Sequence, residues 1–231
     1  MSPDISEFLL RIAILAPGMI LAITLHEASH GYVAWKLGDD TAYQLGRVTF
    51  NPFRHVDPMG TIILPALLYF STGFMFGYAK PVPVNFRRLR NPRRDMVLVA
   101  GAGPASNLVI ALASAAALHF VPISPDSAPV LISQILISSV IFNVMIGVFN
   151  MIPLPPLDGG RVAVGLLPNP LAYRLARLER FGMIILLIAL IGLPLIGQQI
   201  GVDLNVVWWI LSPIVEHVAT FVYLVTGNGA P

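Results

Sequence analysis

The eleven residues Asn150–Gly160, NMIPLPPLDGG, close a stretch that is otherwise almost wholly apolar. Pro153, Pro155 and Pro156 each remove a backbone donor and break a helix, while Gly159 and Gly160 permit a tight turn. A single carboxylate, Asp158, stands at the break. Working outward, the surroundings set the solvent: 56% of the 231 residues are hydrophobic, 11% are charged, and the mean hydropathy is +0.77. A water-soluble domain needs far more polar surface than that. Apolar runs near the roughly 20 residues that cross a bilayer fall at about 8–36, 96–121, 130–152, 178–198 and 205–225, with a shorter one at 59–77. Irregular backbone at membrane depth is tolerated only beside protein or a watery cavity, so the proline break aims Asp158 at a site.

Charge placement orients the spans. Of 14 Lys and Arg, 13 lie in three stretches, Lys36–Arg54, Lys80–Arg94 and Arg161–Arg180, which the positive-inside rule puts in the cytoplasm. The connections at 121–130 and 198–205 hold no Lys or Arg. The basic runs hug predicted membrane boundaries, which argues for a lipid bilayer and against nucleic acid as the partner. The first span lacks the basic start and small-residue cleavage site of a signal peptide, so it is expected to be retained. With no cysteine, a metal here must use nitrogen and oxygen ligands.

Such ligands stand at the end of the first span, in LHEASHGYVAW. On a helix, His26 and His30 share one face at i and i+4, so both imidazoles reach one zinc ion while Glu27 is turned aside to hold a water. Catalytic zinc takes a third protein ligand. His55, His119, His217 and the carboxylates are the available choices. His119 sits at the far end of its span and His55 in a polar loop, and Asp158 is the strongest of the set.

A shared ion also constrains topology. His26, His30 and Asp158 must reach the same membrane side, so an even number of crossings separates them. Spans 96–121 and 130–152 already supply two, and residues 59–77 therefore dip in and return or lie along the interface. Pro65, Gly73 and Gly77 provide the breaks. The alternating YQLGRVTF at 43–50 and KPVPV at 80–84 read as short strands, with Pro81 and Pro83 marking an edge. The expected fold is an all-α polytopic membrane protein of five full transmembrane helices, a re-entrant segment and a short β-hairpin or sheet on the cytoplasmic side. Residues 1–231 form one domain, with the core at 8–165 and C-terminal transmembrane helices at 166–231.

HEASH in an early span, GAGPASN at 101–107 and NMIPLPPLDGGR at 150–161 together resemble the site-2 protease family of intramembrane zinc metalloproteases. NPFRHVDPMGT and AKPVPVN look like loops of its small bacterial and archaeal members, the form without PDZ or CBS domains. The resemblance implies zinc bound by His26, His30 and Asp158, Glu27 as catalytic base, and Asn150 in substrate binding. It also implies a transmembrane protein as substrate and a multi-pass protein of a bacterial or archaeal cell membrane, its active site toward the cytoplasm. Asn107 is a second amide suited to hold the substrate backbone or an oxyanion, with close helix packing through Gly101 and Gly103 as the equal alternative. A substrate that is itself a helix must unwind, and the edge at Lys80–Val84 is a candidate to receive it by strand addition.

Two other classes compete. A membrane metal-ion transporter would also place His and Asp in its spans, but it needs no general base beside the metal and no inverted repeat is evident. A silent scaffold would have no use for Glu27 between two histidines. In the C-terminal third, Arg174, Arg177 and Arg180 read as an interfacial amphipathic helix, and Glu216 with His217 is an ionisable pair inside the last span.

Overall fold

The computed structural model describes residues 5–63, 67, 79–122 and 127–229. Helix α1 (Ile5–Lys36) carries the first apolar run and ends on Lys36, whose charge complements the helix C-terminus. The Lys36 ammonium lies over the Trp35 and Tyr32 rings, and Trp35 stacks on Tyr43. Amphipathic rings of this kind settle at the headgroup level. At 1.5 Å per residue, His30 and His26 then lie about 7 and 14 Å deeper along α1 than Trp35.

A short helix, α2 (Thr41–Gln44), follows. The next long helix, α3 (Pro92–Ala117), begins with Pro92, where no donor is lost, and the Asp95 carboxylate accepts the Asn91 N–H. Then come α4 (Ser127–Asn150), α5 (Asp158–Leu166) and α6 (Asn169–Arg177). Helix α7 (Glu179–Leu187), a wider turn at Ile188–Gly192 and α8 (Leu193–Ile200) form one continuous span, which Gly201 ends at φ +73°. The last helix is α9 (Val206–Val225). Ahead of it, the Asn205 N–H and the Trp209 indole hold the Asp203 carboxyl below its usual range.

Among the described residues, five helices are long and apolar enough to cross a membrane: Leu9–Lys36, Pro92–Phe120, Val130–Asn150, Glu179–Ile200 and Val206–Val225. They correspond to the five expected spans. Helices α1, α3 and α4 pack on one another, α5 packs on α3 to complete the site, and α9 packs outside α3 and α4 through Ala111, Ala115, Val140, Val144, Val215, Ala219 and Val222. Outward-facing Leu15, Val109, Ile137, Trp208 and Phe221 give the bundle the apolar exterior that lipid requires.

The loops at 43–50 and 80–84 differ from the expected hairpin, because no strand occurs among the described residues. The alternation at 43–50 is not a strand pattern: Tyr43, Leu45 and Phe50 are exposed, and Arg47 is buried. Asp39, fully buried, accepts the N–H and hydroxyl of Thr41 and the N–H of Asn85, which starts a helical turn at that point. Gly46 at φ +63° then reverses the chain, and the Arg47 guanidinium reaches the Lys80 carbonyl at 2.7 Å. Residues 79–85 form no strand, since Pro81 and Pro83 have no donor to pair. Of the expected re-entrant segment, Pro58–Ile63 is a wide helical turn, and 64–66 and 68–77 lie outside the described residues.

Candidate metal centre

The proline tract ends where α5 begins, so Asp158 sits in the first turn of a helix with Gly159 and Gly160 packed on the backbone of Met151, Leu154 and Pro155. Its carboxylate points back at α1. Asp158 Oδ2 is 3.1 Å from His26 Nε2 and 3.3 Å from His30 Nε2, and all three side chains are buried. The two imidazoles meet edge to face, 4.7 Å between centroids. Among the described residues this is the one group of three side chains whose ligand atoms lie close enough to share an ion, all within 4.8 Å of one another.

Proton accounting decides what the group can hold. His30 Nδ1 lies 2.7 Å from the Val99 carbonyl, which only accepts, so that nitrogen carries the proton. His26 Nδ1 lies 2.6 Å from Asn107 Oδ1 and donates likewise. In its neutral form each ring then presents an Nε2 lone pair toward Asp158 Oδ2, and three ligand atoms converge on one buried point. A metal cation satisfies that arrangement, as a proton on either Nε2 also would. The two imidazole–carboxylate separations match zinc as well, because ligands at about 2.05 Å on tetrahedral corners stand about 3.3 Å apart. Gly103 of α3 makes the room, since a Cβ there would lie 2.5 Å from His30 Nε2 and 2.6 Å from His26 Nε2.

The chain is similar to several proteins assigned as zinc metalloproteases. It is 37% identical over 174 residues to YwhC of Bacillus subtilis, a protein assigned as a zinc metalloprotease, covering 74% of this chain and 76% of the relative. Rip2 of Mycobacterium tuberculosis, assigned likewise, is 30% identical over 84% of this chain and 71% of its own length. The chain belongs to the site-2 protease family. A more distant site-2 protease relative, zinc metalloprotease MJ0392 of Methanocaldococcus jannaschii, is 24% identical over 70% of this chain and 36% of its own. No family model matches the chain, and no solved structure matches it.

The other residues singled out in the sequence fall around the centre or away from it. Glu27 is half-buried beside His26, and its Oε2 accepts the Val82 N–H at 2.8 Å. Asn107 is fully enclosed, its amide engaged with His26, the Ala22 carbonyl and Asn143. Asn150 ends α4 half-buried and donates to the Ile146 carbonyl of its own helix. His55 is buried but belongs to the loop, with Nε2 on the Thr49 carbonyl, and its own carbonyl takes the Lys80 N–H. His119 bonds the Thr226 carbonyl. Glu216 and His217 are exposed on α9 and bond Ser212 and the Pro213 carbonyl of that helix.

Three contributors had no motif to reveal them. The Val82 donor and the Val99 acceptor are backbone groups that any side chain would supply. Asn143 is an amide in mid-span, a signal only in that such residues inside a membrane seldom lack a partner.

Proposed function

We propose that this site-2 protease is an intramembrane zinc metalloprotease that hydrolyses peptide bonds within or near the transmembrane segments of membrane proteins. The observation that carries the reading is the convergence of His26 Nε2, His30 Nε2 and Asp158 Oδ2 beside a carboxylate, Glu27, that is not part of the group. In this reading His26, His30 and Asp158 hold zinc, which supplies a Lewis acid for the peptide carbonyl and acidifies water. Glu27, oriented by the Val82 N–H, takes the proton of the attacking water and delivers it to the departing amine. Asn150, at the end of the helix that leads into the proline tract, is assigned to the substrate backbone.

Residues 79–85 shape the approach. The N–H groups of Lys80, Val82 and Asn85 are taken by the His55 carbonyl, Glu27 and Asp39. With Pro81 and Pro83 lacking donors, an extended substrate laid along this edge meets chiefly carbonyl acceptors, and strand addition draws mainly on the substrate's own N–H groups. The positive-inside rule puts the site toward the cytoplasm of a bacterial or archaeal cell membrane.

The test uses the full chain purified in detergent with a generic transmembrane peptide. Cleavage is expected, is abolished by a chelator, and returns with zinc. Purified Glu27→Gln with normal cleavage would overturn the assignment, as would cleavage indifferent to chelation.

A further inference from the structure

Behind His26 the interior holds a chain of amides that a helix bundle in lipid has no obvious reason to bury. Asn107 of α3 and Asn143 of α4 are both fully enclosed. Each contact in the chain has a fixed direction. The Ser139 carbonyl can only accept, and Asn143 Nδ2 donates to it at 2.9 Å. That turns Asn143 Oδ1 toward α3, where it accepts from Asn107 Nδ2 at 3.0 Å. The second Asn107 N–H goes to the Ala22 carbonyl of α1, a longer contact at 3.3 Å. Asn107 Oδ1 is left facing His26 Nδ1 at 2.6 Å. Reading back, the orientation of one amide in α4 sets the orientation of the next in α3, and that sets which nitrogen of His26 is protonated.

We propose that Asn143 is a positioning residue for the metal centre: through Asn107 it holds His26 in the tautomer whose Nε2 lone pair is free to bind zinc. This rests on the protease reading of the same site and extends it to a residue two hydrogen bonds behind a ligand. Without the Asn143 acceptor, the Asn107 amide is held only by the Ala22 contact and is free to rotate. Rotated, it turns its NH2 to His26 Nδ1 and favours the tautomer with the proton on Nε2, which cannot bind. Partners behind a metal ligand set affinity by about 10- to 100-fold when lost.

The experiment measures zinc affinity of the full chain in detergent by competition with a chromophoric chelator, with thermal unfolding measured alongside. Asn143→Leu, similar in volume but without the acceptor, is expected to bind zinc at least about 10-fold more weakly. Asn143→Asp keeps an acceptor toward Asn107 and is expected to restore affinity to within about threefold of wild type, a direction that lost packing would not give. Ser114→Ala removes the buried Ser114–Ser139 hydrogen bond between the same two helices and leaves in place the Ser139 carbonyl that holds Asn143 Nδ2 at 2.9 Å, although Ser139 Oγ also lies 3.4 Å from that nitrogen. It is expected to lower the unfolding temperature and leave zinc affinity unchanged. Wild-type affinity in Asn143→Leu, or an equal loss in Ser114→Ala, overturns the proposal. If Asn143→Leu does not fold, Asn143→Ala carries the same expectation. A wild-type chain that binds no zinc would instead sink the protease reading, which separates the two failures.

Discussion

Gly103→Ala adds one methyl group where two metal ligands pass. Its Cβ would stand 2.5 Å from His30 Nε2 and 2.6 Å from both Cε1 and Nε2 of His26, whereas Cβ contacts essentially never fall below 3.0 Å. Each ring, or α3 itself, must therefore retreat by about 0.5 Å, more than twice the roughly 0.2 Å that a zinc–ligand distance tolerates. The rings cannot swing freely. His26 is tied at Nδ1 to Asn107 and His30 to the Val99 carbonyl, and both anchors are on α3, the helix that carries the new methyl. Moving the helix instead carries the anchors away from α1. The expected outcome is at least about 100-fold weaker zinc binding, with a stability loss of about 1–3 kcal/mol from overpacking. Chelator competition and thermal unfolding of purified protein measure the two. Gly101→Ala is the matched control, since nothing lies within 4 Å of its Cβ, and it is expected to be neutral or stabilising by up to about 1 kcal/mol. Wild-type zinc affinity in Gly103→Ala, or an equal loss in Gly101→Ala, would refute the reasoning.

Other perturbations separate the roles. Glu27→Gln is expected to retain zinc and lose cleavage, whereas Asp158→Ala loses both, as read by metal content and peptide hydrolysis. Val82→Pro deletes the one N–H that reaches Glu27 and keeps an extended backbone, so kcat should fall by 10-fold or more while zinc content holds. Asp39→Ala leaves the N–H and hydroxyl of Thr41 and the N–H of Asn85 without their acceptor, and a destabilisation of about 2–4 kcal/mol is expected in thermal unfolding. Single cysteines at 47, 88 and 174 should label from one side of the membrane and a cysteine at 203 from the other; label at 88 appearing opposite 47 would break the topology.

The spans were legible because a bilayer imposes one strong rule, a run of about 20 apolar residues, and the helices follow it. His26, His30 and Asp158 were legible because metal chemistry demands those residue types at i and i+4 and at a helix break. The 43–50 loop was not. Period-two alternation is a strand signal only when one face is buried, and here a buried Asp39 imposes a helical turn while Arg47 goes inside for the Lys80 carbonyl. The role of Gly103 was half legible. Close packing through GAG was a fair expectation, but Gly101 meets nothing and Gly103 meets imidazole rings rather than a neighbouring backbone. Sequence marks a glycine as small, and only the fold says what needs the space.

The same limit explains why the sequence leaves Asn107 open between a substrate amide and a residue of the helix packing. In water, an amide beside a catalytic motif has solvent as its default partner, so exposure toward a substrate is a natural reading. In a bundle whose exterior is lipid, every buried donor and acceptor must close on another protein group. Asn107 has two donors and one acceptor to place, and α1, α3 and α4 supply matching partners in His26, the Ala22 carbonyl and Asn143. The closure ties α1, which carries His26 and His30, to α3 and α4 behind it, and any shift of α4 along α3 opens it. Metal affinity and helix register are thereby coupled: a change that slides α4 should weaken zinc binding even where it leaves His26, His30 and Asp158 untouched.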